Sequence, residues 1–392
     1  MPQVYPPLQA PQRLLFGPGP SPVAPRVYQA MTQNVVGHLD PFFFEVTEQI
    51  RSLLGYAYST KNEFNIAISG TGSSGMEAAV ANFAEPGQKF ALLTNGYFGD
   101  RIGEMARRQG AEVVRLAKGW GEPYDGQEAR EFIRRERPRM VAFVQAETST
   151  GMFNQAKPIC EAAREVDALT IADCVTSLGG MPVLVDDNGI DIAYSCSQKG
   201  LGCPPGLAPI TVGPRALERL KKRAAPVHSW YLDLLLLDTY YSGRKYHHTA
   251  SATLMYALRE GLALVAEEGL ENRWERHRRN HQAFVAGIEA MGLEMHVAEG
   301  HRLWTLNAPR VPAGVDDAKV RQYLLEERNM EISGGFGPLA GKIFRVGLMG
   351  YGSTAENVLL VLEALEAGLK HAGYQPAGNG RGAAEKVLSA SA

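Results

Sequence analysis

Between Phe64 and Val212 the chain alternates short apolar runs with stretches in which apolar residues recur every three or four positions. FNIAIS (64–69), KFALLTN (89–95), EVVRLA (112–117), MVAFVQ (140–145), LTIAD (169–173), IDIAYS (190–195) and LAPITV (207–212) are short and partly β-branched, so they predict strands. RIGEMARRQG (101–110) and DGQEAREFIRRE (125–136) predict amphipathic helices between them, the second with Asp125 and Glu128 in capping-box positions. Continuous apolar strands alternating with helices predict an α/β fold, a mainly parallel sheet flanked by helices. From Glu271 the pattern changes. ENRWERHRRNHQAFVAGIEAMGL (271–293) sets Trp274, His281, Phe284, Ile288 and Met291 at helical spacing, and its charge run reads as a solvated face. TLNAPRV (305–311), MEISGG (330–335) and KIFRVGLMG (342–350) predict strands, and residues 356–372 a closing helix. The expected organisation is an N-terminal extension (1–13), a large domain (14–270), a smaller α+β domain (271–372) and a disordered tail (373–392).

Composition narrows the class. Of 392 residues, 45% are hydrophobic and 21% charged, the profile of a soluble folded chain. A net charge of −2 offers a nucleic acid no basic surface. No apolar run is long enough to cross a bilayer, and MPQVYPPLQAPQR has no secretory core. Cys160, Cys174, Cys196 and Cys203 lack CxxC spacing, which predicts reduced thiols and a cytoplasmic setting. His247 and His248, adjacent in an expected extended strand, would point to opposite sides, so no metal site is predicted. Phe42, Phe43 and Phe44 are expected in the core or at a contact between subunits.

Polar residues gather just past the predicted strand ends, the edge at which open α/β sheets bind ligands. SGTGSSGMEAAV follows the first strand, and its small residues before a helix suit an anion such as phosphate. Gly70, Gly72 and Gly75 also fit GxGxxG, but the next strand ends in Thr94 and Asn95 where a dinucleotide site needs an acid. Asp173 closes LTIAD, either as a structural cap or as an anion facing a protonated ring nitrogen. Thr148 lies in ETSTG (147–151), suited to a ligand or to a local turn. Lys199 stands in SQKGLGCPPG, where apolar walls would favour a neutral, nucleophilic amine able to form a Schiff base. A snorkelling surface lysine is the plainer reading for Lys199 taken alone. Cradle, carboxylate and lysine together suit pyridoxal 5′-phosphate, with Phe98 of NGYFGDR as the ring to stack on it.

These motifs, with FGPGPS (16–21), DCVTSLGG (173–180), YHHT (246–249) and FRVGLMG (344–350), resemble the class V, fold-type I aminotransferases of the alanine–glyoxylate and serine–glyoxylate (serine–pyruvate) group. The resemblance runs from about Leu14 to Ala372. It implies that Lys199 holds the cofactor and that Asp173 pairs with the pyridine nitrogen. Thr148 would meet the ring hydroxyl, with Phe98 and Val175 on the two ring faces. Thr71, Gly72, Ser73 and Gln198 would bind phosphate. Tyr246 and Thr249 would reach the neighbouring subunit's cofactor, making a homodimer. Gly19 and Thr148 would line the substrate site, and Arg345 would fork the substrate carboxylate. Two positions depart from the family pattern: Phe98 replaces a tryptophan, and Ser73 a frequent histidine. The implied activity is transfer of an amino group from alanine or serine to glyoxylate or pyruvate, with (S)-ureidoglycine–glyoxylate transfer as the alternative. A desulfurase reading lacks a cysteine beyond Cys203, and a dehydrogenase reading leaves Lys199 unexplained.

Overall fold

The computed structural model describes residues 2–390. Seven strands form the main sheet: β1 (Phe64–Ser69), β2 (Lys89–Thr94), β3 (Glu112–Ala117), β4 (Met140–Val144), β5 (Leu169–Asp173), β6 (Ile192–Tyr194) and β7 (Leu207–Val212). Their order is β1-β7-β6-β5-β4-β2-β3, with only β7 antiparallel to its neighbours. All seven coincide with the apolar runs. Their central members are buried throughout, as strands covered on both faces require.

Helices fill the two faces: α1 (Pro41–Tyr58), α2 (Gly72–Phe83), α3 (Tyr97–Arg108), α4 (Gly126–Glu136) and α5 (Ala252–Glu268). Asp125 caps α4 by accepting from the backbone N–H of Gln127 and Glu128. The second half of the expected capping box does not form, because Glu128 pairs with Lys118 at 2.6 Å instead. Of the three phenylalanines, Phe43 and Phe44 join the main core while Phe42 stays exposed.

A second core gathers around α6 (Leu270–Ala290), α7 (Ala355–His371) and a small antiparallel sheet of β8 (Leu306–Asn307), β9 (Ser333–Gly334) and β10 (Phe344–Gly347), in which β10 is central. Phe284, Ile288, Phe344, Val346, Leu362 and Leu365 fill it. Two expectations are corrected here. Residues 14–16, grouped above with the large domain, pair with Met330–Glu331 and bury Phe16 in this second core. The tail expected to be disordered contains α8 (Gly380–Ala390), which buries Ala384 and seats Val387 and Leu388 against the same core. Gly287 permits this approach, since a Cβ there would lie 2.9 Å from the Gly380 carbonyl. The charge run of α6 is likewise only partly solvated: Arg273, His277 and Asn280 are buried.

Candidate active site

Five strand ends meet at one edge of the sheet. After β1 the chain turns through Gly70 into α2, whose N-cap Thr71 makes no capping bond, so the first N–H groups face the edge without a side-chain acceptor. After β2 comes Phe98 on α3, after β4 Thr148, at the end of β5 Asp173 and Val175, and after β6 Gln198 and Lys199. These residues, with Thr71, Gly72 and Ser73, line one cavity of about 300 Å³. Pattern reading had missed Met76, Ala146 and Arg101 among its walls. Arg101 was detectable: it lies one helical turn after Phe98, on the same face.

Asp173 is fully enclosed. It accepts from Val175 N–H at 2.9 Å and from the Tyr194 hydroxyl at 2.8 Å. Tyr194 stands opposite it in the β5–β6 register, which is why the two meet. Burial pushes the Asp173 carboxyl up to about 6 against those two bonds. Burial also pushes the Lys199 amine down, with some help from the nearby Arg345 charge. The amine donates to the Pro18 carbonyl, while Ser21 Oγ donates to the Lys199 carbonyl at 2.7 Å. Thus FGPGPS and SQKG are stitched together. Gly19 sits at φ +120°, and a Cβ there would strike the lysine side chain, so no other residue fits without displacing it.

Glu147, unread in the sequence, is buried behind the cavity. Its carboxylate accepts from the N–H groups of Phe98 and Gly99 at the start of α3 and from Ser149, and so fixes the Phe98 ring's backbone. Burial pushes it up to about 7. Thr148 Oγ1 lies 2.5 Å from the Thr176 hydroxyl.

Arg345 lies on β10 beside the cavity rather than in its wall. Its Nε donates to the Gly334 carbonyl at 2.8 Å, and the guanidinium lies 4.6 Å from the Phe336 ring centroid. Tyr246 and Thr249 are exposed and lie outside this cavity. The histidine pair between them differs from expectation. Residues 244–250 are not a strand, and the rings turn together, Nδ1 to Nδ1 at 2.9 Å. Trp230 stacks on His247 at 4.3 Å, and His248 Nε2 meets Ser69 Oγ at 2.7 Å. Among the described residues no group of three or more His, Cys, Asp or Glu could hold a metal.

The sequence matches the family "Aminotransferase class-V" over residues 14–358. The chain belongs to that family. It is 40% identical over 370 residues to an alanine–glyoxylate aminotransferase of Drosophila melanogaster, covering 93% of this chain and 94% of the relative. It is 41% identical over 379 residues to an (S)-ureidoglycine–glyoxylate transaminase of Bacillus subtilis, covering 92% and 91%. A solved alanine–glyoxylate aminotransferase from Nostoc sp. shares 48% identity and superposes with a TM-score of 0.92 over 94% of this chain and 98% of that one.

This aminotransferase therefore has the fold-type I architecture and uses pyridoxal 5′-phosphate. The cavity fits that group. Thr71, Ser73 and Gln198 bring hydroxyl and amide donors to its wall. A Cβ at Gly72 would lie 3.0 Å from Cys196 Cβ and 3.4 Å from Val175 Cγ2, so glycine lets the start of α2 pack closely on the residues after β5 and β6. Phe98 and Val175 supply apolar walls. All four thiols are free and buried, and no helix among the described residues is long and apolar enough to cross a membrane.

Proposed function

We propose that this aminotransferase moves an amino group from a small amino acid, alanine or serine, to glyoxylate or pyruvate in two half-reactions. One observation carries the choice of acceptor: relatives named for different donors, at 40% and 41% identity, both name glyoxylate. Bound pyridoxal phosphate supplies a ring that takes up the electron pair released when the donor's Cα–H bond breaks. Lys199 holds the cofactor through its aldehyde and, once freed, takes the proton from Cα; its burial favours the neutral form of the amine. Asp173 holds the proton of the pyridine nitrogen in place. Phe98 and Val175 bracket the ring, and Thr148 meets its hydroxyl. Thr71, Gly72, Ser73 and Gln198 donate to phosphate. Arg345 forks the substrate carboxylate, a geometry for which guanidinium is suited and ammonium is not. Gly19 keeps the approach to the amine open.

The exposed Tyr246 and Thr249 belong, in this reading, to the neighbouring subunit's cofactor, so the active unit is a homodimer. The four reduced thiols suit a cytoplasmic enzyme of small amino and oxo acids. The alternative donor is (S)-ureidoglycine, supported by the 41% relative. Loaded protein mixed with single donors decides. Alanine or serine should convert the aldehyde absorbance to that of the amine form, and glyoxylate should restore it. Conversion by (S)-ureidoglycine alone would install the alternative. Intersecting initial-velocity lines would overturn the two-stage scheme, which requires parallel ones.

A further inference from the structure

We infer that Arg101 is the cation of the phosphate subsite, balancing the charge that the cradle's neutral donors leave uncompensated. This rests on the reading of the cavity given under Proposed function. Arg101 Nη1 donates to Ser73 Oγ at 3.1 Å, which puts the half-buried guanidinium beside the cradle. Its carbon lies 5.0 Å from the ring centroids of both Tyr97 and Phe98, so two aromatic rings hold it in place. It lines the same cavity as Thr71, Gly72, Ser73 and Gln198.

Among the described residues Arg101 is the one arginine of α3 without an ion pair. Its neighbours on α3 are paired: Asp100 with Arg115 at 3.2 Å, and Glu104 with Arg107 and with Arg108. Among the described residues Arg101 has no carboxylate within ion-pair distance, and Ser73 is its hydrogen-bond partner. A phosphate monoester carries about −1.5 to −2 charges at neutral pH. Thr71, Ser73, Gln198 and the start of α2 are all neutral donors, and enclosing a dianion among neutral groups is costly. Lys199 is committed to the aldehyde and Arg345 to the substrate. Arg101 is the remaining cation in the wall.

The test compares two ligands that differ only in phosphate. Cofactor-free native protein, Arg101→Gln and Arg101→Lys are titrated with pyridoxal phosphate and with pyridoxal, following absorbance of the bound form. Arg101→Gln should weaken pyridoxal phosphate roughly 10- to 100-fold and leave pyridoxal within about twofold. Arg101→Lys should recover part of the loss, keeping charge without the fork. Equal weakening of both ligands would reassign Arg101 to support of the Phe98 ring and overturn the inference, as would unchanged affinity for pyridoxal phosphate. If native protein bound neither ligand, the reading of the cavity itself would fail, an outcome distinct from both.

Discussion

The two edges of the main sheet differ in how far ion pairs hold their positive charge. At the edge where β2, β4 and β5 begin, a cleft of about 420 Å³ is rich in arginine, larger than the candidate site's cavity of about 300 Å³. Yet Arg215 there pairs with the buried Asp191 at 3.0 Å and with Asp167 at 3.2 Å, and Arg219 meets Asp167 at 3.4 Å. At the other edge Lys199, Arg101 and Arg345 rest on a carbonyl, a hydroxyl and a carbonyl, and among the described residues none has a carboxylate within ion-pair distance. The buried acid between them, Asp173, is held by neutral groups, the Val175 N–H and the Tyr194 hydroxyl. Charges paired inside the chain hold the fold. Among the described residues the cations of the second edge carry no ion pair and line or flank the candidate cofactor site, whereas in the cleft only Arg139 and Arg223 lack one, Arg223 resting on the Ala81 and Asn82 carbonyls; cavity size does not tell the two edges apart.

The contrast is open to attack from both sides. The largest effect belongs to Lys199→Ala, which should slow single-turnover amino transfer by ~10⁴-fold and abolish fixation of the cofactor to the chain by borohydride. Retention of the label elsewhere in the chain would break the assignment. Next, Arg345→Lys should raise KM for glyoxylate by ~10²-fold with a smaller fall in kcat; steady-state kinetics with an unchanged KM would remove Arg345 from substrate binding. At the opposite edge the pattern should invert. Arg215→Ala leaves the Asp191 carboxylate without its partner and should lower stability in urea by roughly 1–3 kcal/mol, while kcat/KM stays within about twofold. A large loss of activity without a loss of stability would mean that this edge also serves the reaction.

The smallest effect concerns acidity. Burial raises Asp173 to about 6, above the usual carboxylate value of roughly 3.9. The folded cofactor-free chain thus holds a proton between about pH 4 and pH 6 that the unfolded chain releases, and the charged form costs stability above that window. Asp173→Asn should therefore raise the melting temperature of cofactor-free protein by a few degrees at pH 8. The gain should shrink as pH falls through about 6 and vanish near pH 4. A gain independent of pH would show that the carboxylate's charge is not what the fold pays for.

The strands and most of the helices were legible because a strand covered on both faces must be apolar throughout and a two-sided helix must repeat its apolar residues about every 3.6 positions, whatever surrounds it. The cradle, Asp173 and Lys199 were legible because each closes a strand, and strand ends in such a sheet share one edge. Tertiary structure alone decided which charges found partners. Glu128 could have completed a capping box, but Lys118 was nearer; Arg273 reads as a solvated residue until its guanidinium is seen to donate to the carbonyls of Gly179 and Gly200, beside the Asp173 and Lys199 loops. Phe16 joined a core whose other members begin only at Ala283, and Ala384 found its place because Gly287 left room. Periodicity reports a residue's own backbone. Pairing and close approach depend on residues distant in the chain, and only the folded chain brings them together.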